Sequence, residues 1–330
     1  MILTVDSALL KQAITQMSAL YKNNEQFRAF NMSVKDNILY LNVNTGLRYE
    51  AALPLEGVHE DISANLIFRD ITEILGDKGE VRLELTPMYC VVSTGIFEIT
   101  LQVANDVVTP LYHTKESNAL YMPKEQFSAI VKTLCNTMSF RKAYKLTPLL
   151  TFNGAHSYVK FPTMWLKCKG GYIHSNLTQD MADIIIAFVP DSFSEKEDVL
   201  YFYNDFATLI VPSAAPSEDT FDQVKEQLAP IAEIDFSTVV PALRKSHKVL
   251  GNGNATIYFS KRGMRVQIMR VGVSSLLHFG EPGDVIVSVQ LPLEFFLNVA
   301  AIMGGQTTIL YGGGKICLDN ICSILMSVNS

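Results

Sequence analysis

The stretch YGGGKIC, residues 311–317, sets a lysine behind three glycines, residue types that can cradle a phosphate. A phosphate-binding loop needs GxxxxGK[ST] between a strand and a helix. Here Ile316 follows Lys315 and the sequence continues strand-like, so a hairpin turn is expected instead. GNGN at 251–254 precedes a strand rather than a helix, which removes the dinucleotide reading. GVSSL at 272–276 lacks the closing glycine of a nucleophile elbow. The six histidines, at 59, 113, 156, 174, 247 and 278, are scattered, with no HExxH and no close His/Cys cluster. No pair of carboxylates is nominated for acid–base work. The expectation is a non-enzyme with no cofactor and no metal.

What does show a pattern is positive charge. Three helical segments, 7–22, 124–145 and 237–250, carry Lys11, Lys22, Lys124, Lys132, Arg141, Lys142, Lys145, Arg244, Lys245 and Lys248 against one acid, Glu125. That leaves 17 of the 27 basic residues and 32 of the 33 acidic ones for the rest of the chain. The placement follows helical geometry: Lys11, Thr15, Ser18 and Lys22 form a polar stripe beside Leu10, Ile14, Met17 and Tyr21. Solvated helix faces usually mix both signs. Stripes this short, basic and poor in aromatics suit a phosphate backbone better than stacked bases or base edges. The net charge of −6 argues against nucleic-acid binding over the whole surface and leaves room for a local basic patch.

The elements that position these helices repeat. Ile96, Ile99 and Val103 recur as Ile321, Ile324 and Val328, a constant offset of 225. Residues 66–103 read as an apolar helix (Leu66, Phe68, Ile71, Ile74, Leu75), a Gly-containing turn and three strands; 291–328 give the same order. Residues 7–43 and 237–268 each read as a helix, a polar gap and a strand–turn–strand hairpin. The middle of the chain opens alike, with an amphipathic helix presenting Phe127, Ile130, Val131, Leu134 and Met138, then strands at 149–153, 157–161, 164–168, 171–175 and 184–189. Its second half is degenerate, the expected helix shrinking to DSFSEKE before the strands VLYFYND and FATLIVPS. SAAPSED is a linker and TFDQVKEQLAPI a short acidic helix. The expected domains are 1–112, 113–216 and 217–330 in an α+β chain.

At 330 residues and 48% hydrophobic, the chain can bury several cores. No apolar run reaches the roughly 18 residues of a membrane span, and MILTVDSALL lacks a signal-peptide layout. Five cysteines, with no CxxC, read as buried thiols of a reducing cytoplasm rather than disulfides or zinc ligands. At the C-terminus Ile324, Met326 and Val328 alternate, so all three leave one face of a final strand. That face is either domain core or a surface kept for a ligand.

Repeat order and charge placement over the whole length resemble the DNA sliding clamps of bacterial type, with the second half of the middle domain marking a divergent member. In that family three similar domains per chain, each of two helix-plus-strands halves, join with a second chain into a ring. The sheets lie outside and the helices line a hole around duplex DNA. The resemblance implies a DNA polymerase processivity factor without sequence specificity, with Lys11, Lys22, Lys132, Arg141, Lys142, Arg244, Lys245 and Lys248 facing DNA. It implies a homodimer joined through Phe97 and Ile99 to Val249 and Leu250. It also implies a pocket for apolar peptides of the polymerase and clamp loader, formed by Tyr172, Ile173, Ile324, Met326 and Val328. Gly171-Tyr172-Ile173-His174 stands where the family has a Gly-His-Arg-Leu type stretch, so the pocket shape should differ. A structural ring of β-domains, such as a virion component without a DNA role, and an enzyme with an unrecognised site are the rival expectations.

Overall fold

The structure, a computed structural model, describes residues 1–22, 28–112, 115–138, 149–161, 164–216, 220–281 and 283–328, without the side chains of 136–138. The chain begins β1 (Ile2–Asp6), α1 (Ser7–Tyr21), β2 (Ala29–Lys35), β3 (Ile38–Asn44), β4 (Arg48–Pro54), β5 (Ile62–Ile67), β6 (Glu80–Leu85), β7 (Tyr89–Thr94) and β8 (Phe97–Gln102). It continues β9 (Leu120–Tyr121), α2 (Lys124–Met138), β10 (Leu150–Asn153), β11 (His156–Lys160), β12 (Met164–Lys169), β13 (His174–Leu177), α3 (Gln179–Phe188), β14 (Ser192–Lys196), β15 (Val199–Tyr203) and β16 (Ala207–Pro212). It ends α4 (Phe221–Lys225), β17 (Ala229–Asp235), α5 (Phe236–Leu250), β18 (Asn254–Ser260), β19 (Gly263–Arg270), β20 (Val273–Gly280), β21 (Val285–Pro292), α6 (Leu293–Met303), β22 (Gln306–Gly312), β23 (Lys315–Asp319) and β24 (Cys322–Ser327).

Turn chemistry sets the hairpins. Asp36 and Asn37 both take positive φ between the paired residues Lys35 and Ile38, the conformation whose twist matches two antiparallel strands. Gly313 and Gly314 do the same between Gly312 and Lys315. The glycine-rich stretch at 311–317 is therefore built around a two-residue hairpin turn.

The chain forms two compact units, residues 1–128 with 180–214, and 129–179 with 215–330. The first holds a four-stranded sheet, β1-β6-β7-β8, and an eight-stranded sheet, β5-β2-β3-β4-β16-β15-β14-β9. The second holds an eight-stranded sheet, β13-β10-β11-β12-β24-β23-β22-β17, and a four-stranded one, β20-β19-β18-β21. Cut at β4/β16 and β12/β24, these become three sheets of one connectivity (β1-β6-β7-β8, β9-β14-β15-β16, β17-β22-β23-β24) and three of another (β5-β2-β3-β4, β13-β10-β11-β12, β21-β18-β19-β20).

Three sequence expectations fail here. The helix over 66–75 is instead the end of β5 and a three-residue 3-10 turn, Thr72–Ile74. Asp70 is the cause: its Oδ1 accepts from the Thr72 backbone N–H at 3.0 Å and hydroxyl at 2.6 Å, offering the backbone an alternative to a helix. Leu66, Phe68, Ile71 and Leu75 are buried all the same, so the apolar pattern reported burial correctly and period wrongly.

Conversely, the strand expected at 184–189 belongs to α3, which fills the place where a helix was thought nearly missing. A continuous apolar run such as Ile184–Phe188 does not distinguish strand from buried helix. The buried residues are Ala182, Ile185 and Phe188, at helical spacing. The Phe188 ring meets Tyr49 edge-on at 6.2 Å, and its carbonyl accepts from the side-chain amides of Gln16 (3.0 Å) and Asn204 (3.1 Å). Tyr49 donates in turn to Gln16 Oε1 at 2.9 Å, and full burial pushes its phenol pKa well up. The segment DSFSEKE, expected to be a helix remnant, contains β14.

Phe188→Ala is expected to cost about 3–5 kcal/mol of unfolding free energy in a denaturant titration. Ala187→Ser, on the exposed side of the same helix, should change it by less than about 0.5 kcal/mol. Equal effects would show that this segment is not a helix with Phe188 inward.

Candidate nucleic-acid and partner interfaces

Three helices carry the basic stripes. In α1, Asp6 caps the N-terminus by accepting from the Leu9 N–H at 2.8 Å, while Leu10, Ala13, Ile14, Met17 and Leu20 are buried. The opposite face is left to Lys11 and, just past the helix end, Lys22. Lys11 Nζ lies 2.6 Å from Asp77 Oδ1. Its hydrogen bond, and then its charge, hold the Asp77 carboxyl below the usual carboxylate range. Part of the Lys11 charge is thus already answered within the chain.

In α2, Phe127, Val131 and Leu134 are buried and Lys132 is exposed. Arg141 and Lys142 lie outside the described residues. In α5, Asp235 caps the N-terminus through the Ser237 N–H at 2.9 Å, and Phe236, Val239, Leu243 and Leu250 face inward. Arg244, Lys245 and Lys248 stay exposed, and Lys248, in the last turn, complements the negative dipole end of the helix. Gly251 ends the helix at φ 66°, its N–H reaching the His247 carbonyl at 2.8 Å. Among the described residues, no carboxylate pairs with Lys22, Lys132, Arg244, Lys245 or Lys248. These cations are held out by apolar packing beneath them and left uncompensated.

The C-terminal strand resolves a choice the sequence left open. Ile324 stands opposite Leu166 and Leu318, and Met326 opposite Met164 and Ile316. Ile324 is fully buried and Met326 is 4% exposed, while Val328 is half-buried with its N–H on the Gly314 carbonyl at 2.9 Å. The first two are core side chains of their unit. Leu325 points to the other face, into a cluster with Tyr158, Trp165, Phe221 and Cys317, which α4 covers.

Ile173 is buried and Tyr172 half-buried at φ 62°; both lie past the Cys168–Cys322 end of the β12–β24 ladder, whereas Val328 lies past its Met164–Met326 end. Tyr172 and Ile173 follow Gly171, where an added Cβ would sit 2.4 Å from the His156 carbonyl oxygen. Only glycine lets this stretch lie against the 153–156 turn, where the Tyr172 N–H reaches the Gly154 carbonyl at 2.8 Å.

The residues expected at a subunit interface are mostly exposed. Phe97 is 54% exposed and Ile99 half-buried, on β8, the last strand of its four-stranded sheet. Val249 is 81% exposed, but Leu250 only 5%, since it belongs to the inward face of α5. β20 is not among the strands expected from the sequence. It is the end strand of the other four-stranded sheet and exposes Val273 and Leu276, with Val271 in the turn before it. Its signal is the run VSSLLHF between Gly272 and Gly280, glycines that bound a strand.

Neither a family model nor a curated protein matches this sequence. Solved structures match along its full length. A putative DNA polymerase III beta subunit from Eubacterium rectale aligns with a TM-score of 0.79 at 11% identity, covering 100% of both chains. This is the sliding-clamp fold. A DNA polymerase sliding clamp from Pseudomonas aeruginosa gives 0.78 at 12% identity, over 100% of this chain and 99% of that one. The Helicobacter pylori beta clamp bound to a DNA ligase peptide gives 0.76 at 12%, with both chains covered in full. Against such low identity, the clamp fold here is a divergent version.

Met326→Ala is expected to destabilise the chain by about 2–4 kcal/mol, because it empties a buried site. Val328→Ala, less buried and at the chain end, should cost under about 1 kcal/mol. Comparable losses in thermal melts would mean that the two share one environment.

Proposed function

We propose that this chain is a DNA polymerase processivity factor: a ring subunit that encircles duplex DNA and tethers a replicative polymerase. It catalyses nothing. The reading takes the chain as three domains, 1–112, 113–216 and 217–330, whose junctions are strand pairs.

The supporting observation is the sheet order. The joint β16–β4 pairs Ala207–Ile210 with Ala51–Arg48, and the joint β24–β12 pairs Cys322–Met326 with Cys168–Met164. Each unites the last strand of one connectivity with the last strand of the other. Two strands of those same types remain without such a partner, β8 and β20. An open strand edge with exposed apolar side chains invites another strand. Pairing β8 of one copy with β20 of a second makes a third joint like the other two. A two-fold repeats it, and two chains close into a ring. Phe97, Ile99 and Val249 then lie at the joint.

In this ring the uncompensated cations of α1, α2 and α5, together with Arg141 and Lys142, face the phosphate backbone. Such contacts are individually weak, screened over about 8 Å at physiological salt, and blind to sequence. The ring supplies retention and the weak contacts permit movement along DNA. A polymerase and a clamp loader bind through apolar peptides at the half-buried Val328, just past the Met164–Met326 pair. Held there, the polymerase stays at high effective concentration near its template.

Solution mass is expected to be that of two chains, falling to one in Phe97→Arg, where a charge occupies the joint. The protein should be retained on circular DNA and lost when it is linearised. Charge reversal to Glu at Lys132, Arg141, Arg244 and Lys248 together should abolish stimulation of polymerase on primed circular DNA, with melting temperature changed little. A structural ring without a DNA role would give two-chain mass with no retention on any DNA, and would overturn the proposal.

A further inference from the structure

The five cysteines separate into two kinds: Cys90, Cys135 and Cys317 are buried outside any disulfide, while Cys168 and Cys322 form a pair. Cys90 and Cys317 are buried single thiols. Burial first, and then the nearby Glu84 charge, pushes the Cys90 thiol up to about 12. Burial, and then Asp319, does the same for Cys317. At neutral pH both stay protonated and unreactive. Cys168 and Cys322 differ, because they are direct cross-strand partners at the β12–β24 joint. Their Cα atoms are 4.2 Å apart and their sulfurs are bonded. The expectation of five buried thiols therefore fails for this pair, and the reason is register: 154 residues of chain separate two cysteines that the sheet sets side by side.

The position of the pair is what gives it consequence. On one face of the sheet, three cross-strand pairs run along the joint: Met164 with Met326, Leu166 with Ile324, and Cys168 with Cys322. The first two are apolar contacts, and on the other face Trp165 packs with Leu325. The cysteine pair ends the row, beside the exposed Ile321 in the turn that leads into β24. Cys317 cannot substitute, since it faces the opposite side with Trp165 and Leu325. The joint at β16–β4 has no such pair: its facing residues are Ala207 with Ala51, Thr208 with Glu50, Leu209 with Tyr49 and Ile210 with Arg48. One of two otherwise similar joints thus carries a covalent option.

We propose that Cys168 and Cys322 are a reversible redox site that locks the C-terminal strand to β12 when oxidised and leaves it held by hydrogen bonds and packing when reduced. The oxidant is a low-molecular-weight disulfide. One cysteine thiolate attacks it, forming a mixed disulfide and releasing one small thiol. The second cysteine thiolate then attacks the protein sulfur and displaces the second small thiol. Two protons and two electrons leave the pair, and two small thiols carry them away. A dithiol such as dithiothreitol runs the exchange backward. Closing a loop of this length restricts the unfolded chain strongly, so the bond should show in stability. The site is independent of any role with DNA.

The test uses the full chain, purified reduced and then equilibrated with oxidised glutathione. Digestion with trypsin and Asp-N separates all five cysteines, because Asp-N cuts before Asp319 and parts Cys317 from Cys322. A linked peptide containing Cys168 and Cys322 is expected, with a melting temperature raised by roughly 5 °C and both changes reversed by dithiothreitol. Cys168→Ser and Cys322→Ser should each lose the shift, while Cys90→Ser should keep it. Should either serine variant fail to fold, differential alkylation of the unaltered chain gives the same answer: protection of Cys168 and Cys322 together after oxidation. Full alkylation of both under oxidised glutathione, or a linked pair with no change in melting temperature, overturns the proposal.

Discussion

The structure depends on the strand edge. A β-strand at the end of a sheet presents a row of backbone N–H and C=O groups that need partners. This chain meets that need by joining the last strand of one small sheet to the last strand of another. Each eight-stranded sheet is such a union, with β4 on β16 in one and β12 on β24 in the other. The joint continues the hydrogen-bond ladder and places side chains in register across it, so apolar rows such as Leu166, Ile324 and Leu318 run without a break. β24 is not a frayed terminus but an interior strand of its sheet, with neighbours on both sides. Among the described residues, β8 and β20 are the two strands of the kinds joined at β4–β16 and β12–β24 that stay at the end of a sheet.

The helices answer a second constraint, the separation of apolar and charged faces. In α5 the inward residues Phe236, Val239, Leu243 and Leu250 are spaced so that Arg244, Lys245 and Lys248 cannot turn inward without pulling a large apolar side chain into water. Burying each such side chain stabilises by about 1.5–3 kcal/mol, more than any single exposed ion pair offers. The charges therefore stay exposed without needing partners to hold them. Among the described cations of these helices Lys11, answered by Asp77, is the exception, and its half of the chain has a 3-10 turn where the equivalent halves have the full helices α3 and α6.

Tightly packed polar groups set the remaining geometry. The Glu50 carboxylate is buried and accepts from the backbone N–H groups of Leu111 (3.0 Å) and Tyr112 (2.6 Å), which fixes the segment that leaves the first pair of sheets. Lys167 is buried beside Phe221 and reaches Asp222 at 2.8 Å, fastening α4 over the sheet face that holds Trp165. Both are local solutions to a general need. A charge taken out of water must find hydrogen-bond partners, and each of these finds them on an element that would otherwise be loosely held.

Much of this protein was legible in its residues. The 225-residue offset, the hairpin turns at Asp36-Asn37 and Gly313-Gly314, and the basic faces of α1, α2 and α5 all follow from local patterns, because turn conformations and helical periods act over a few residues. What needed the folded chain is whatever depends on partners distant in sequence. An apolar run at 184–188 is equally good as strand or helix until Tyr49 and Gln16 are beside it. The apolar series from Leu66 to Leu75 suggests a helix until Asp70 is seen to hold Thr72. The alternation of Ile324 and Met326 gives one face of a strand, but only Leu166 and Leu318 across the ladder make that face core. The cysteines at 168 and 322 carry no spacing signal at all. Register between two strands, set by the whole sheet, is what makes them neighbours.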